Sequence, residues 1–140
     1  MSATDRTMPM SKPQQFDNWP ESIQPGFGPY RAVCERIVDG DTLYVFCDLG
    51  LSQYSYQSLR LNDVLAPELF SGTNREAGAQ ARDYLTSICP PGTKLQMYTH
   101  KDASTFGRYV ATLKRADGTI VNEAMRAWLE EKGYTGGTGA

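Results

Sequence analysis

The turn sequence Asp39-Gly40-Asp41-Thr42 sets two carboxylates two positions apart, a spacing that suits a hard cation. Calcium takes about six to eight oxygen ligands and favours clustered carboxylates, and a tight turn keeps both side chains near one point. An ordinary Asp-Gly hairpin turn is the simpler interpretation of this tetrapeptide taken alone. Its meaning therefore depends on which other residues the fold brings to it.

Three charged residues further along the chain are of types that act on a phosphate. Arg60 alternates with two leucines, so its side chain is expected on the opposite face of a strand from theirs. Glu68 follows a rigid proline, and Arg108 follows a glycine that frees the backbone beside it. Taken singly, each of them is also an ordinary surface charge. They form a candidate site together with the turn only if the fold brings all of them close together.

The hydrophobic pattern predicts five strands and two helices that could position these residues. The strands are predicted over residues 31–38, 42–47, 54–62, the alternating segment 95–99, and 109–113. A capping box at 73–76 starts a helix that runs to about Ile88, and Asn122 is predicted to cap a second helix that ends at Gly133. The order of three strands, a helix, two strands and a C-terminal helix predicts an α+β, mainly β fold: a five-stranded OB-fold barrel.

Composition limits the kinds of protein to consider. The 140 residues carry a formal net charge of −2, which argues against a protein that coats nucleic acid through bulk positive charge. The three cysteines form neither a CxxC pair nor a Cys/His metal-binding spacing, so we predict that they are buried thiols. No apolar run has the length of a signal or a membrane span, so we expect a soluble, intracellular protein with no membrane partner.

The two ends of the chain differ from its middle. Residues 1–29 are polar and rich in proline and glycine, which predicts a flexible or partner-docking arm, with Phe16 and Trp19 as its sizeable anchors. Residues 135–140 form a Gly-rich tail. We therefore expect one folded domain over residues 30–134, with the arm as a possible contact to a protein partner.

Four short motifs within this domain resemble those of the staphylococcal nuclease (thermonuclease) family. They are the turn IVDGDT, the segment RLNDVLAPE, the loop FGR and the segment ADGTIVNEA, and they occur in the family order. The helix sequence GAQARDYL is also similar to the first helix of the family. The likeness covers residues 30–134, about three quarters of the chain.

The resemblance implies a calcium-dependent nuclease without sequence specificity that hydrolyses phosphodiester bonds of DNA or RNA. By motif position, Arg60 and Arg108 match the family arginines that neutralise charge on the phosphate, and Glu68 matches the glutamate that activates or positions water. Asp41 and the Ala66 carbonyl match two of the family's calcium ligands. Phe106 matches an aromatic residue beside the bound nucleotide, where core packing is nearly as good an interpretation.

One departure from the family pattern weakens the metal site. The residue directly before Ala66 should be a second aspartate, and this chain has Leu65 there. Losing a carboxylate lowers calcium affinity, and whether Asp39 or Asp63 compensates stays open. The alternative function is therefore a catalytically impaired barrel that binds nucleic acid or protein as a subunit of a larger assembly.

Overall fold

A computed structural model describes residues 14–16, 18, 27–67, 75–101 and 109–134. In chain order the elements of the domain are β1 (Tyr30–Asp39), β2 (Thr42–Gly50), β3 (Gln53–Leu61), α1 (Arg75–Ile88), β4 (Lys94–Lys101), β5 (Tyr109–Arg115) and α2 (Val121–Lys132). A short 3-10 turn at Gln14–Phe16 precedes them. Most of the predicted arm, including Trp19, and the tail at 135–140 lie outside the described residues.

The five strands form a closed barrel in the order β1-β2-β3-β5-β4. Neighbouring strands are antiparallel except β3 and β5, which pair in parallel through Leu59–Tyr109, Arg60–Val110 and Leu61–Ala111. One helix lies between the third and fourth strands and the other follows the fifth. The predicted fold class is therefore confirmed, with strand ends that differ from the predicted ones by a few residues.

Alternating side chains divide each strand between the core and the outer surface. On β3, Leu59 and Leu61 are buried while Arg60 keeps partial exposure, as the alternation predicts. Cys34, Cys47 and Cys89 are free and buried, which confirms the predicted thiols. Burial raises the pKa of Cys47 to about 11, so this thiol stays protonated and acts as a small apolar side chain.

The predicted role of Asn122 as a helix cap is wrong. α2 begins at Val121 after Ile120, with no side-chain cap, and Asn122 lies buried within the first turn. Its Oδ1 accepts the Leu113 N–H at 2.9 Å, and its Nδ2 donates to the carbonyls of Ala111 at 2.9 Å and Asn62 at 3.0 Å. Asn122 therefore joins α2 to β5 and to the chain leaving β3, because its amide pairs with the Leu113 N–H and with carbonyls on both segments.

Within the residues that the structure describes, no helix is both long enough and apolar enough to cross a membrane.

Candidate functional site

The Asp39-Gly40-Asp41 turn is held by backbone hydrogen bonding and by close packing. The Asp41 N–H donates to Asp39 Oδ1 at 3.2 Å, which closes a local turn typical of aspartate. A Cβ on Gly40 would lie 2.7 Å from the Cβ of Ala66 and 2.7 Å from the Cβ of Ala81. Glycine is therefore required here because the turn sits directly against α1 and against the segment after β3.

The Asp41 carboxylate is half-buried and is bound by polar donors. Its Oδ1 accepts the Thr42 hydroxyl at 3.0 Å, and its Oδ2 accepts the Ala66 N–H at 3.2 Å. Burial raises the pKa of Asp41 to about 7, and the hydrogen bond and repulsion from the Asp39 carboxylate add to this effect. A cation beside these two carboxylates would favour their ionised forms, since opposite charge lowers the pKa of an acid.

Strand register places Arg60 beside this turn. Arg60 pairs directly with Thr42 across the antiparallel β2–β3 ladder, so the two side chains share one face with Cβ atoms about 5 Å apart. The Leu61 N–H donates to the Asp41 carbonyl at 2.8 Å, which fastens the end of β3 to the turn. Among the described residues, none forms a hydrogen bond or ion pair with the Arg60 side chain. Its guanidinium is therefore available to an anion.

The segment after β3 returns to the turn through Ala66. Val64 and Ala66 are buried, whereas Leu65 is 46% exposed and contributes no ligand atom from its side chain. Asp63 lies at φ 58° and its carboxylate is 3.8 Å from the Arg126 guanidinium on α2. Asp63 is therefore engaged with α2, and Asp39 is the carboxylate in contact with Asp41.

We call the group formed by Asp39, Gly40, Asp41, Thr42, Arg60 and Ala66 the turn end of the barrel. It unites three of the predicted site residues: Asp41, Arg60 and Ala66. Glu68, Phe106 and Arg108 lie outside the described residues. In the part of the chain that is described, no group of three or more His, Cys, Asp or Glu side chains could hold a metal ion.

Asn122 is the residue of this region whose position was not anticipated. Its amide binds the Asn62 carbonyl, and Arg126 Nη1 lies 3.5 Å from the carbonyls of Asn62 and Asp63. These contacts fix the start of the segment that leads to Ala66. Nothing in the local sequence distinguishes this use of an asparagine from a helix cap, because its partners are up to 60 residues away.

Comparison with known proteins places a nuclease among the relatives of this chain. Over 104 residues it is 29% identical to "Endonuclease YhcR" of Bacillus subtilis (strain 168), an alignment that covers 68% of this chain. The chain is distantly similar to an endonuclease. It spans only 8% of that protein's length, and no protein-family model matches it.

Proposed function

We propose that this chain hydrolyses phosphodiester bonds of nucleic acid and is a divergent member of the staphylococcal nuclease family. The observation that carries the proposal is the convergence of Asp41, Arg60 and Ala66 at the turn end of the barrel. The distant similarity to an endonuclease supports it. The barrel alone would not, because one fold serves many functions.

Arg60 is the phosphate-binding group in this proposal. A guanidinium donates parallel hydrogen bonds to two phosphate oxygens, and these bonds strengthen as negative charge builds during attack on phosphorus. The Arg60 side chain is partly exposed and begins opposite Thr42, whose hydroxyl is bound to Asp41. A phosphate that binds Arg60 would therefore lie close to the carboxylates of the turn.

The oxygen-rich turn fits a weakly held calcium ion. The ion would be held by the Asp41 carboxylate, the Ala66 carbonyl and, in place of the ligand that Leu65 cannot supply, the Asp39 carboxylate. Support comes from the raised pKa of Asp41, whose causes are burial and the neighbouring Asp39 carboxylate, because a bound cation would offset both effects. When bound, calcium would polarise the phosphate as a Lewis acid.

The remaining roles follow from motif position. In this proposal Glu68, two residues after Ala66, positions or activates the attacking water, and Arg108, two residues before Val110, binds the phosphate together with Arg60. Phe106 stacks against a base of the substrate. All three assignments come from the resemblance described above.

The test is a cleavage assay on single-stranded DNA and RNA with calcium raised to the millimolar range that weak sites require. A chelator control and a Leu65→Asp variant accompany the wild type. Calcium-dependent cleavage that is stronger in the variant supports the proposed site. Absence of cleavage by both proteins would rule out the nuclease proposal.

A second candidate function is binding without turnover, and Leu65 is the observation that favours it. A barrel that lost a metal carboxylate would retain Arg60 for anion binding while hydrolysis is lost. Cleavage by Leu65→Asp alone, with oligonucleotide binding by both proteins, identifies this case. Assembly with a protein partner through residues 1–29 stays a prediction.

A further inference from the structure

The outer face of β2 and β3 carries a cluster of exposed aromatic rings. Phe46, Tyr54 and Tyr56 are 52%, 73% and 46% exposed. Tyr56 stacks on Tyr44 with ring centroids 5.4 Å apart and contacts Phe46 at 4.8 Å. We call Tyr44, Phe46, Tyr54 and Tyr56 the aromatic face. Phe46 and Tyr54 each keep more than half of their area exposed, so these two rings are available to a ligand.

Strand pairing places basic residues in the same rows as the rings of the aromatic face. Across the barrel, residues paired with one another form two rows of outward side chains: Tyr54, Asp48, Arg31, Gln96 and Lys114 in one, and Tyr56, Phe46, Val33 and Lys94 in the next. A groove of about 800 Å³ runs between the rings and the lysines. With strands about 4.8 Å apart, the longer row spans about 19 Å.

The charges along this groove leave a positive surplus. Arg31 is paired with Asp48, whose pKa is lowered by the Gly50 N–H and then by Arg31, so that pair stays ionised and neutral overall. Among the described residues, none forms an ion pair or hydrogen bond with the side chain of Lys94 or Lys114. The whole chain has a net charge of −2, so these two free lysines beside aromatic rings are a local feature that complements a polyanion.

A third cation extends the face toward the turn end. The Arg36 guanidinium lies 4.4 Å from the centroid of the Tyr44 ring and also contacts the Glu35 carboxylate at 3.6 Å. On β3, Tyr54, Tyr56, Ser58 and Arg60 alternate on the same outer side. Arg60 lies four positions after Tyr56, a rise of about 13 Å along an extended strand. The aromatic face is therefore continuous with the proposed site.

We propose that the aromatic face and its neighbouring lysines bind single-stranded nucleic acid without sequence specificity, as a second contact beyond the turn end. Bases stack on Phe46 and Tyr54, and backbone phosphates lie against Lys94 and Lys114. Single strands are favoured because a duplex keeps its base faces stacked inside. A protein partner fits less well, since lysines are depleted from protein interfaces. The inference extends the proposed nuclease function, and its binding test does not require cleavage.

The test measures anisotropy of a fluorescein-labelled oligothymidine with the full chain and a chelator, which prevents calcium-dependent cleavage. A Phe46→Ala, Tyr54→Ala double variant is expected to raise the Kd at least about tenfold, because each base stack contributes severalfold or more. Replacing both residues by Trp retains stacking and keeps the Kd within about twofold. Tyr134→Ala, an aromatic truncation beside Trp128 on the helical side, serves as the control.

The lysines are tested through salt dependence. Lys94→Ala with Lys114→Ala is expected to reduce the slope of log Kd against log salt by about 1.4, since each phosphate contact to a single strand contributes about 0.7. A matched Arg82→Ala, Lys132→Ala variant removes two cations from the helices and should leave the slope unchanged. All four positions retain substantial exposure, so these variants keep the fold.

The outcomes separate this inference from the nuclease proposal. The second contact is overturned if the wild type does not bind the oligonucleotide or binds duplex and single strand equally well. It is also overturned if both double variants bind like the wild type. A wild-type dimer in sedimentation that the aromatic variant loses would also overturn it, by assigning the face to a second copy. Tight binding that depends on these residues, in a protein that never cleaves, would leave the second contact standing and refute only the nuclease proposal.

Discussion

The turn end and the aromatic face share the outer side of β3 but are built in opposite ways. At the turn end, the half-buried Asp41 carboxylate is bound by Thr42 and Ala66, and Gly40 is packed without space for a Cβ. At the other end of the strand, Tyr54 is 73% exposed. Catalysis benefits from polar groups held rigidly out of water, whereas stacking needs ring faces that a ligand can reach. One strand can therefore contribute to both catalysis and stacking, because the outer side chains at its two ends lie in different surroundings.

Removal of the guanidinium at the turn end should have the largest effect. Arg60→Ala is expected to lower kcat/KM for cleavage by about 10²–10³, as for loss of a donor that stabilises transition-state charge. The unfolding free energy should change little, because among the described residues none pairs with the Arg60 side chain. Steady-state cleavage of a short DNA substrate measures the first effect, and urea unfolding measures the second.

Arg60→Lys should recover part of the activity, since an ammonium retains charge without the two-pronged geometry. Arg82→Ala on α1 is the matched control and should cleave like the wild type. Cleavage by Arg60→Ala within tenfold of the wild type would remove Arg60 from the proposed mechanism.

A second variant tests whether the Asn122 hydrogen bonds hold the segment that leads to the turn end. Asn122→Ala leaves the buried Leu113 N–H without the Asn122 acceptor and removes the amide hydrogen bond to the Asn62 carbonyl, so we expect a loss of about 3 kcal/mol in unfolding free energy. The neighbouring exposed Glu123→Ala should change it by less than about 0.5 kcal/mol. Urea unfolding of both variants gives the comparison, and equal stabilities would show that the Asn122 contacts do not anchor the segment after β3.

Sequence reasoning predicted those features that depend on local pattern. Alternation around Arg60 was enough to assign its face, and the order of strands and helices was enough for the barrel. Asn122 was misassigned because a helix-start asparagine can bind its own helix or a distant strand, and only the packing decides. The Asp63 orientation depends likewise on Arg126, which is distant in sequence.

The aromatic face was not anticipated for a related reason. The sequence marks β2 and β3 as rich in aromatic residues, yet it does not reveal which rings lie side by side until the register pairs Phe46 with Tyr56. The link to Lys94 needs two further strands. The roles of Glu68, Phe106 and Arg108 stay predictions, since these residues lie outside the described part of the chain.

The half-buried Asp41 carboxylate of the turn end predicts a pH dependence that the aromatic face lacks. Because the pKa of Asp41 rises from its ordinary value of 3.8 to about 7, the folded state binds this proton more tightly than the unfolded state. The stabilisation of the folded state by protonated Asp41 is therefore fully present below about pH 4 and is lost as the pH rises to about 7. With a chelator present, the unfolding free energy of Asp41→Asn should fall less than that of the wild type between about pH 4 and pH 7, by on the order of 2 kcal/mol.

The difference between wild type and Asp41→Asn is the quantity to measure, by urea unfolding at several pH values. Other carboxylates titrate with the opposite sign: the pKa of Asp48 is lowered by the Gly50 N–H and Arg31, and that of Asp117 is lowered by Arg115. Their contributions cancel in the difference. Parallel stability curves for the two proteins would mean that Asp41 is solvated and that the turn end is not a buried polar site.

The smallest expected effect tests the aromatic face as a binding surface. Tyr54→Ala should change the unfolding free energy by less than about 0.5 kcal/mol, because a ring that is 73% exposed loses little buried area on truncation. Urea unfolding at neutral pH measures it, with Leu43→Ala in the core as the contrast at about 2–5 kcal/mol. A cost above about 1.5 kcal/mol for Tyr54→Ala would mean that the ring stabilises the barrel. Its exposure would then be a by-product of packing, and the division between a rigid polar end and an accessible stacking face would fail.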